Sequence, residues 1–422
     1  MTSRFPIMFF TVSVFKELVE RFPEWDALRA FLESEEGGQL RVVDQSAEDS
    51  LVLIRYEKGV SCMNVPHVGW FRSVIWDTQR NRPVSVAPQR SSSLPIQRPL
   101  PPSGEEEGWV CEEFLDGFMI QCFRKVETGA EAISNLLPIH IATRSKINAS
   151  GTFYSSKSFR ELFLEAYGAG RDLSAEIVPF DVSDANAAAA VSYSFLVQHA
   201  ENRIVSPVTS PRAVLVQRVA VMPCGSIVVE DHLPHMTRIP GILTGEGTLE
   251  ERLHALFSSM QWFFQGVVIK DELGNRWKSR SYKYMQVKAL RGNYPDTLNR
   301  YAYLYTQNLI ETYLTYYPED AFSFSFQSVC LQQIVAQLHR IYVEIHVRKQ
   351  LALDAVDKMY HPHLYHLHRI FLNKLRSAGR HLTETDIHQY FHGQPWQRIA
   401  FLIRKTQDSY FSQVQDAMEV AP

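Results

Sequence analysis

The spacing of apolar positions changes twice along the chain. Val14, Phe15, Leu18, Val19, Phe22, Trp25, Leu28 and Phe31 recur at three- and four-residue steps, which predicts an amphipathic helix over 12–34. Short apolar runs then take over at 39–43, 51–56, 72–77 and 84–87, with 78–83 as the turn between the last two. Further strand-like runs follow at 118–123, 140–144, 193–198, 213–221, 226–229 and 266–270. Helical segments at 158–167 and 248–264 interrupt them, and Thr248 with Glu251 has the form of a capping box. Beyond residue 295 a helical period rich in Leu, Ile, Tyr and His replaces the strand signals. Pro318, Pro362 and Pro395 divide that stretch into roughly four to six helices.

Runs of strands with inserted helices predict an α+β fold over 1–294, and the periodic C-terminal stretch predicts an all-α domain over 295–422. Residues 1–70 carry the first helix and strands. Residues 88–108 hold five prolines, Ser91-Ser92-Ser93 and Glu105-Glu106-Glu107. They read as a flexible loop and not a domain boundary, because strands resume on both sides.

Composition narrows the class. A length of 422 residues leaves room for two or three domains, and 45% hydrophobic residues supports ordinary buried cores. A net charge of −3 argues against a polybasic protein but permits local basic patches. The five cysteines are scattered, with no two at metal-ligand spacing, which predicts reduced thiols and an intracellular, cytoplasmic setting. The apolar stretch 7–15 resembles a signal-peptide core, but it runs into Lys16-Glu17 without a small-residue cleavage site. It is therefore expected to be a folded first element. No run of roughly 18 apolar residues occurs, so no membrane partner is expected.

Four stretches fall in an informative order. They are Arg72-Ser73-Val74-Ile75-Trp76-Asp77; Phe114-Leu115-Asp116-Gly117; the run from Phe195 and Leu196 through Glu201-Asn202-Arg203-Ile204-Val205; and Gln265-Gly266-Val267-Val268-Ile269-Lys270, with Trp277-Lys278-Ser279-Arg280 close behind. The ordered set resembles the covalent nucleotidyltransferase superfamily, most closely the phage-type RNA ligases. It is also similar to RNA-ligase-like proteins of large DNA viruses, in which a helical domain follows. The resemblance implies a ligase-type nucleotidyltransferase domain and a virus-encoded or virion-associated protein. In such ligases a lysine in Lys-x-Asp-Gly attacks ATP to form a lysyl-adenylate. Carboxylates on a Phe-Glu and a Glu-Gly strand serve the ribose and Mg²⁺, and a Lys-x-Lys pair meets the phosphates.

Carried over residue by residue, the resemblance implies nucleotide-binding roles for Arg72, Asp116, Gly117, Gln265, Lys278 and Arg280. It implies no catalytic residue. Phe114 stands at the nucleophile position and has no nucleophilic atom. Leu196 and Gln265 stand where the carboxylates belong, and Mg²⁺ favours hard, anionic oxygen ligands. Three readings stay open: a degenerate ligase-like protein that binds nucleotide or RNA; an active ATP- and Mg²⁺-dependent RNA ligase with Lys125 or Lys146 as displaced nucleophile; and an assembly scaffold with protein partners on the helical domain. Lys125 lies about 25–30 Å of extended chain from Asp116, at roughly 3.3 Å per residue, which weighs against it.

Other clusters are less specific. Lys270, Arg276, Lys278, Arg280, Lys283, Lys288 and Arg291, interleaved with Trp277, Tyr282 and Tyr284, suit phosphate contact and base stacking or else a solvated strand edge. Arg203, Lys283, Lys288 and Arg291 are the candidate nucleic-acid contacts. The histidines of His361-Pro362-His363-Leu364-Tyr365-His366-Leu367-His368 lack an identifiable third metal ligand, so a packed helix and no metal site is expected. Tyr313, Tyr316, Tyr317, Phe322, Phe324 and Phe326 are expected to pack between helices.

Overall fold

The computed structural model describes residues 9–96, 100, 108–126, 137–180, 188–231, 233 and 235–419. It is an α+β protein with antiparallel sheets and a C-terminal helical region. Two compact units divide between Gln286 and Val287, earlier than the expected boundary at 294 and inside a helix, Tyr282–Arg291.

The chain opens with β1 (Phe9–Val12), α1 (Val14–Arg21) and α2 (Trp25–Glu33). The single helix expected over 12–34 is thus two, separated at Phe22-Pro23-Glu24, where proline lacks the N–H that a continuous helix would use. Then come β2 (Arg41–Ser46), β3 (Leu51–Arg55), β4 (Val74–Asp77) and β5 (Arg82–Val86), an antiparallel four-stranded sheet in chain order.

The next elements alternate between two other sheets. β6 (Ser92–Ser93) and β7 (Trp109–Glu113) are followed by β8 (Phe118–Lys125), β9 (His140–Ala142), α3 (Phe159–Tyr167) and α4 (Leu173–Glu176). After them come β10 (Ala190–Gln198), β11 (Arg212–Val221), β12 (Ile227–Glu230), α5 (Leu249–Ser259), β13 (Gly266–Asp271), β14 (Arg276–Arg280) and α6 (Tyr282–Arg291). A six-stranded sheet runs β1-β12-β11-β10-β8-β9, and a four-stranded sheet runs β6-β14-β13-β7.

Both faces of β10 are covered. Val191, Tyr193, Phe195 and Val197 pack with Phe163 and Tyr167 of α3. The opposite face turns Ser192 toward the β2–β5 sheet, where its hydroxyl lies 2.7 Å from that of Ser85. Gln121 extends this seam, accepting from Ser73 at 2.6 Å and donating to Ser85 at 2.8 Å. A polar seam this deeply buried is tolerated because its members bond one another.

The stretch 88–108 is partly built into a sheet. Ser92 and Ser93 pair in parallel with Trp277 and Lys278. Residues 97–99 and 101–107, with the three glutamates, lie outside the described residues, as do 1–8. The basic stretch 270–291 is a hairpin strand followed by helix α6 rather than one solvated strand edge. The expected capping box is present: Thr248 Oγ1 accepts from the Glu251 N–H at 3.2 Å, and Glu251 accepts from the Thr248 N–H at 2.8 Å.

The second unit contains α7 (Thr297–Thr306), α8 (Ile310–Tyr316), α9 (Ala321–Tyr342), α10 (His361–Ile370), α11 (Glu384–His392) and α12 (Trp396–Glu419). Helix α9 is central and buries Leu331, Ile334, Val335 and Leu338. Tyr313, Tyr317 and Phe324 are buried as expected, but Phe322 is 89% exposed. Two residues from Phe324, it points to the other side of the helix. Among the described residues no helix is long and apolar enough to cross a membrane.

Candidate functional site

The Asp116-Gly117 pair makes no hairpin. It carries the chain from β7 in one sheet to β8 in another. The Phe114 N–H donates to the Gly266 carbonyl at 2.9 Å as the chain leaves its first sheet. Asp116 is 6% exposed and ties three segments together. Its Oδ2 accepts from the Val205 and Ser206 N–H groups at 2.9 and 2.8 Å, and its Oδ1 from the Tyr284 hydroxyl at 2.8 Å. The Asp116 carbonyl accepts from Gln198 Nε2 at 2.7 Å. A Cβ on Gly117 would lie 2.4 Å from the Val197 carbonyl oxygen, so the close approach of β10 admits only glycine. Both residues, expected at a nucleotide, serve the crossing itself.

Three of the other expected residues do converge. Lys278 and Arg280 are two apart on β14 and share a face. Arg72 precedes β4. The Lys278 ammonium is pushed down to about 8, first by burial and then by the charges of Arg280, Arg72, Arg90 and Lys58. Arg72 is pushed down to about 10, first by burial and then by Arg276, with Tyr56 opposing and Arg144 and Arg280 adding to it. Among the described residues none of Arg72, Lys278 and Arg280 has a side-chain hydrogen bond or ion pair. The Arg280 guanidinium instead lies over the Phe114 ring, 5.2 Å from its centroid.

Arg144 belongs to this group and was not foreseen. Its Nε donates to the Arg72 carbonyl at 3.2 Å, Nη2 to the Tyr56 carbonyl at 3.3 Å, and the guanidinium rests over the Tyr56 ring. Arg90 and Lys58 were missed too, because isolated cations on separate loops carry no spacing signal. A cavity of about 520 Å³ is bordered by Arg72 and Arg144 of this group, with Lys146, Phe118, Phe153 and Phe159. That volume suits a small molecule.

The positions that the resemblance assigns to carboxylates hold none. Leu196 is buried on β10 between Met119 and Val214. Gln265 is buried, and its carbonyl accepts from the Ser281 N–H at 3.0 Å. With Phe114, Leu196 and Gln265 in place, these residues do not fit Mg²⁺. The displaced-nucleophile candidates have other partners. Lys125, at the far end of β8, lies 2.7 Å from Asp77, and Lys146 lies 3.3 Å from Asp44.

Glu165, His199 and Glu201 place ligand atoms within 4.8 Å of one another. The Lys157 ammonium already sits 2.9 Å from Glu165 and 2.7 Å from Glu201. His199 Nδ1 accepts from the Glu201 N–H at 3.2 Å, leaving Nε2 to donate to Glu165 at 3.0 Å. This is an ion-pair cluster whose cation is the lysine.

The four candidate nucleic-acid residues differ in exposure and in partners. Arg203 is 9% exposed and donates to the Val205 carbonyl at 3.0 Å. Lys283 donates to the Ser258 and Met260 carbonyls at 2.9 Å, closing the C-terminal end of α5. Arg291 is 5% exposed with its guanidinium over the Tyr317 ring, and Lys288 is half-buried. In α10 each histidine has a partner: His361 the Val356 carbonyl, His363 the Tyr390 hydroxyl, His366 the Pro362 carbonyl and His368 the Tyr342 hydroxyl. No protein-family model matches this chain, and no curated protein does either.

Proposed function

We propose that the N-terminal unit binds a nucleotide through its phosphates, as a degenerate ligase-like protein that forms no lysyl-adenylate. One observation carries the reading: Arg72, Lys278 and Arg280 face one another, half-buried or exposed, with no counter-charge among the described residues. Gathering like charges in a partly desolvated site raises the free energy of the empty protein, and an entering anion relieves that repulsion. Guanidinium groups match phosphate oxygens in pairs, and an ammonium adds a point charge. The adjoining cavity, with three phenylalanines on its border, offers apolar contact for the rest of the ligand.

Phe114 supports the non-covalent part of the reading, since nothing at that position can attack phosphorus. The test has two parts. Titration calorimetry with ATP should give binding that weakens by about tenfold or more in Lys278→Met and Arg280→Met, each of which removes a charge-assisted contact. Incubation with α-labelled ATP and Mg²⁺ should leave no label on the denatured protein. Label that survives denaturation would refute the reading.

A further inference from the structure

We infer that this site takes a nucleoside polyphosphate as the metal-free anion, its own cations occupying the role that a divalent ion plays in most polyphosphate sites. The inference rests on the nucleotide-binding reading above and concerns the charge state of the ligand.

Cationic neighbours dominate the field at this group, with Tyr56 alone opposing at Arg72. The charges acting on Lys278 come from Arg280, Arg72, Arg90 and Lys58, and those acting on Arg72 from Arg276, Arg144 and Arg280. A divalent cation brought here would add to a repulsion that, after burial, already lowers the ionisation of both groups. A bare polyphosphate meets the reverse field. Chelated to a metal, the same ligand has part of its charge cancelled before it arrives, so it gains less from each guanidinium.

Two carboxylates beside Lys270 and Arg276 are committed to those cations. Asp231 Oδ2 lies 2.7 Å from Arg276 and its Oδ1 2.9 Å from Lys270. Lys270 lies 2.6 Å from Glu112 as well. These acids are buried and paired with Lys270 and Arg276, so recruiting one to a metal would strand a buried cation. Arg276 therefore contributes its charge to the field at Arg72 while being held in place by Asp231. Among the described residues Arg72, Lys278 and Arg280 have no ion pair, and a rigid guanidinium fork can bind two phosphate oxygens as a chelating ion would.

The test is calorimetric titration of the full chain with ATP, once in excess EDTA and once in Mg²⁺ above the ATP concentration. Ionic strength is matched, because exposed charges are screened by salt. Tighter binding in EDTA, by about threefold or more, is expected from the larger ligand charge. Arg72→Met and Lys278→Met should weaken binding in EDTA more than in Mg²⁺, with unchanged near-ultraviolet dichroism as the check on folding. Binding that requires Mg²⁺, or tightens with it, overturns the inference and leaves the nucleotide-binding reading standing. No binding under either condition overturns both.

Discussion

Arg280 lies over the face of Phe114, its guanidinium 5.2 Å from the ring centroid. The residue expected to meet phosphate and the residue at the expected nucleophile position are thus in direct contact. An exposed cation–π contact of this kind contributes about 0.5–1 kcal/mol. It also holds the guanidinium just past the end of β7.

Phe114→Lys should not confer nucleotidyl transfer. The new ammonium would face Arg280 and Lys278, and Leu196 and Gln265 would still supply no carboxylate. Incubation with α-labelled ATP and Mg²⁺, followed by denaturing electrophoresis, is expected to show no labelled band. A labelled band would mean that a lysine at this position is enough for nucleotidyl transfer.

Lys278 sets a pH dependence. Below pH about 8 its ammonium is charged and available to phosphate; above that value the charge is lost, while Arg280, Arg72 and Arg90 keep theirs. ATP affinity should therefore fall as pH rises through 8, and binding near that pH should take up a proton. Calorimetry in buffers of different ionisation enthalpy measures the uptake. For the unliganded protein the sign is opposite. Between about 8 and the ordinary value of 10.5 the unfolded chain holds a proton that the folded chain has released, so stability rises with pH across that window. Lys278→Met should remove both effects.

Asp116 is a structural tie, so its loss should appear as instability. Asp116→Asn leaves one acceptor atom for three donors and should cost about 2–3 kcal/mol, read from the urea midpoint. Tyr284→Phe removes a single donor and should cost less, about 1 kcal/mol. Equal stability of Asp116→Asn and the wild type would contradict the tie.

In the helical unit His363 is buried, and its pKa is pushed down to about 4, first by burial and then by Arg398 and His366. Its Nδ1 meets the Tyr390 hydroxyl at 2.9 Å. Between pH 6.5 and about 4 the unfolded chain binds a proton that the folded chain refuses, so stability falls as pH drops through that range. Thermal unfolding of the full chain from pH 7 to 4.5 should show a steeper loss in the wild type than in His363→Gln.

Much of the fold was legible in local pattern. The strand runs, the box at Thr248 and Glu251, and the change to helices near the unit boundary all rest on period and on short-range caps. The candidate site was legible only in part. Lys278 and Arg280 stand two apart on one strand, and that pattern survives folding. Arg144, Arg90 and Lys58 belong to separate loops, and no sequence period relates them to Arg72. Composition counts cations but not their partners: Arg203, Lys283 and Arg291 each meet a carbonyl or a ring of the protein itself.

The sequence by itself determined the α+β order of elements, the two units, and the lack of a nucleophile or carboxylate at Phe114 and Leu196, because side-chain chemistry and short-range periodicity are written into the chain. The tertiary structure alone decided that Asp116 closes a crossing between sheets, and that the histidines of α10 face hydrogen-bond partners. It also decided that Arg72, Arg144, Lys278 and Arg280 lie near enough to act on one another's charge. Charge at a point in space is a sum over residues distant in sequence, and only the folded chain sets those distances.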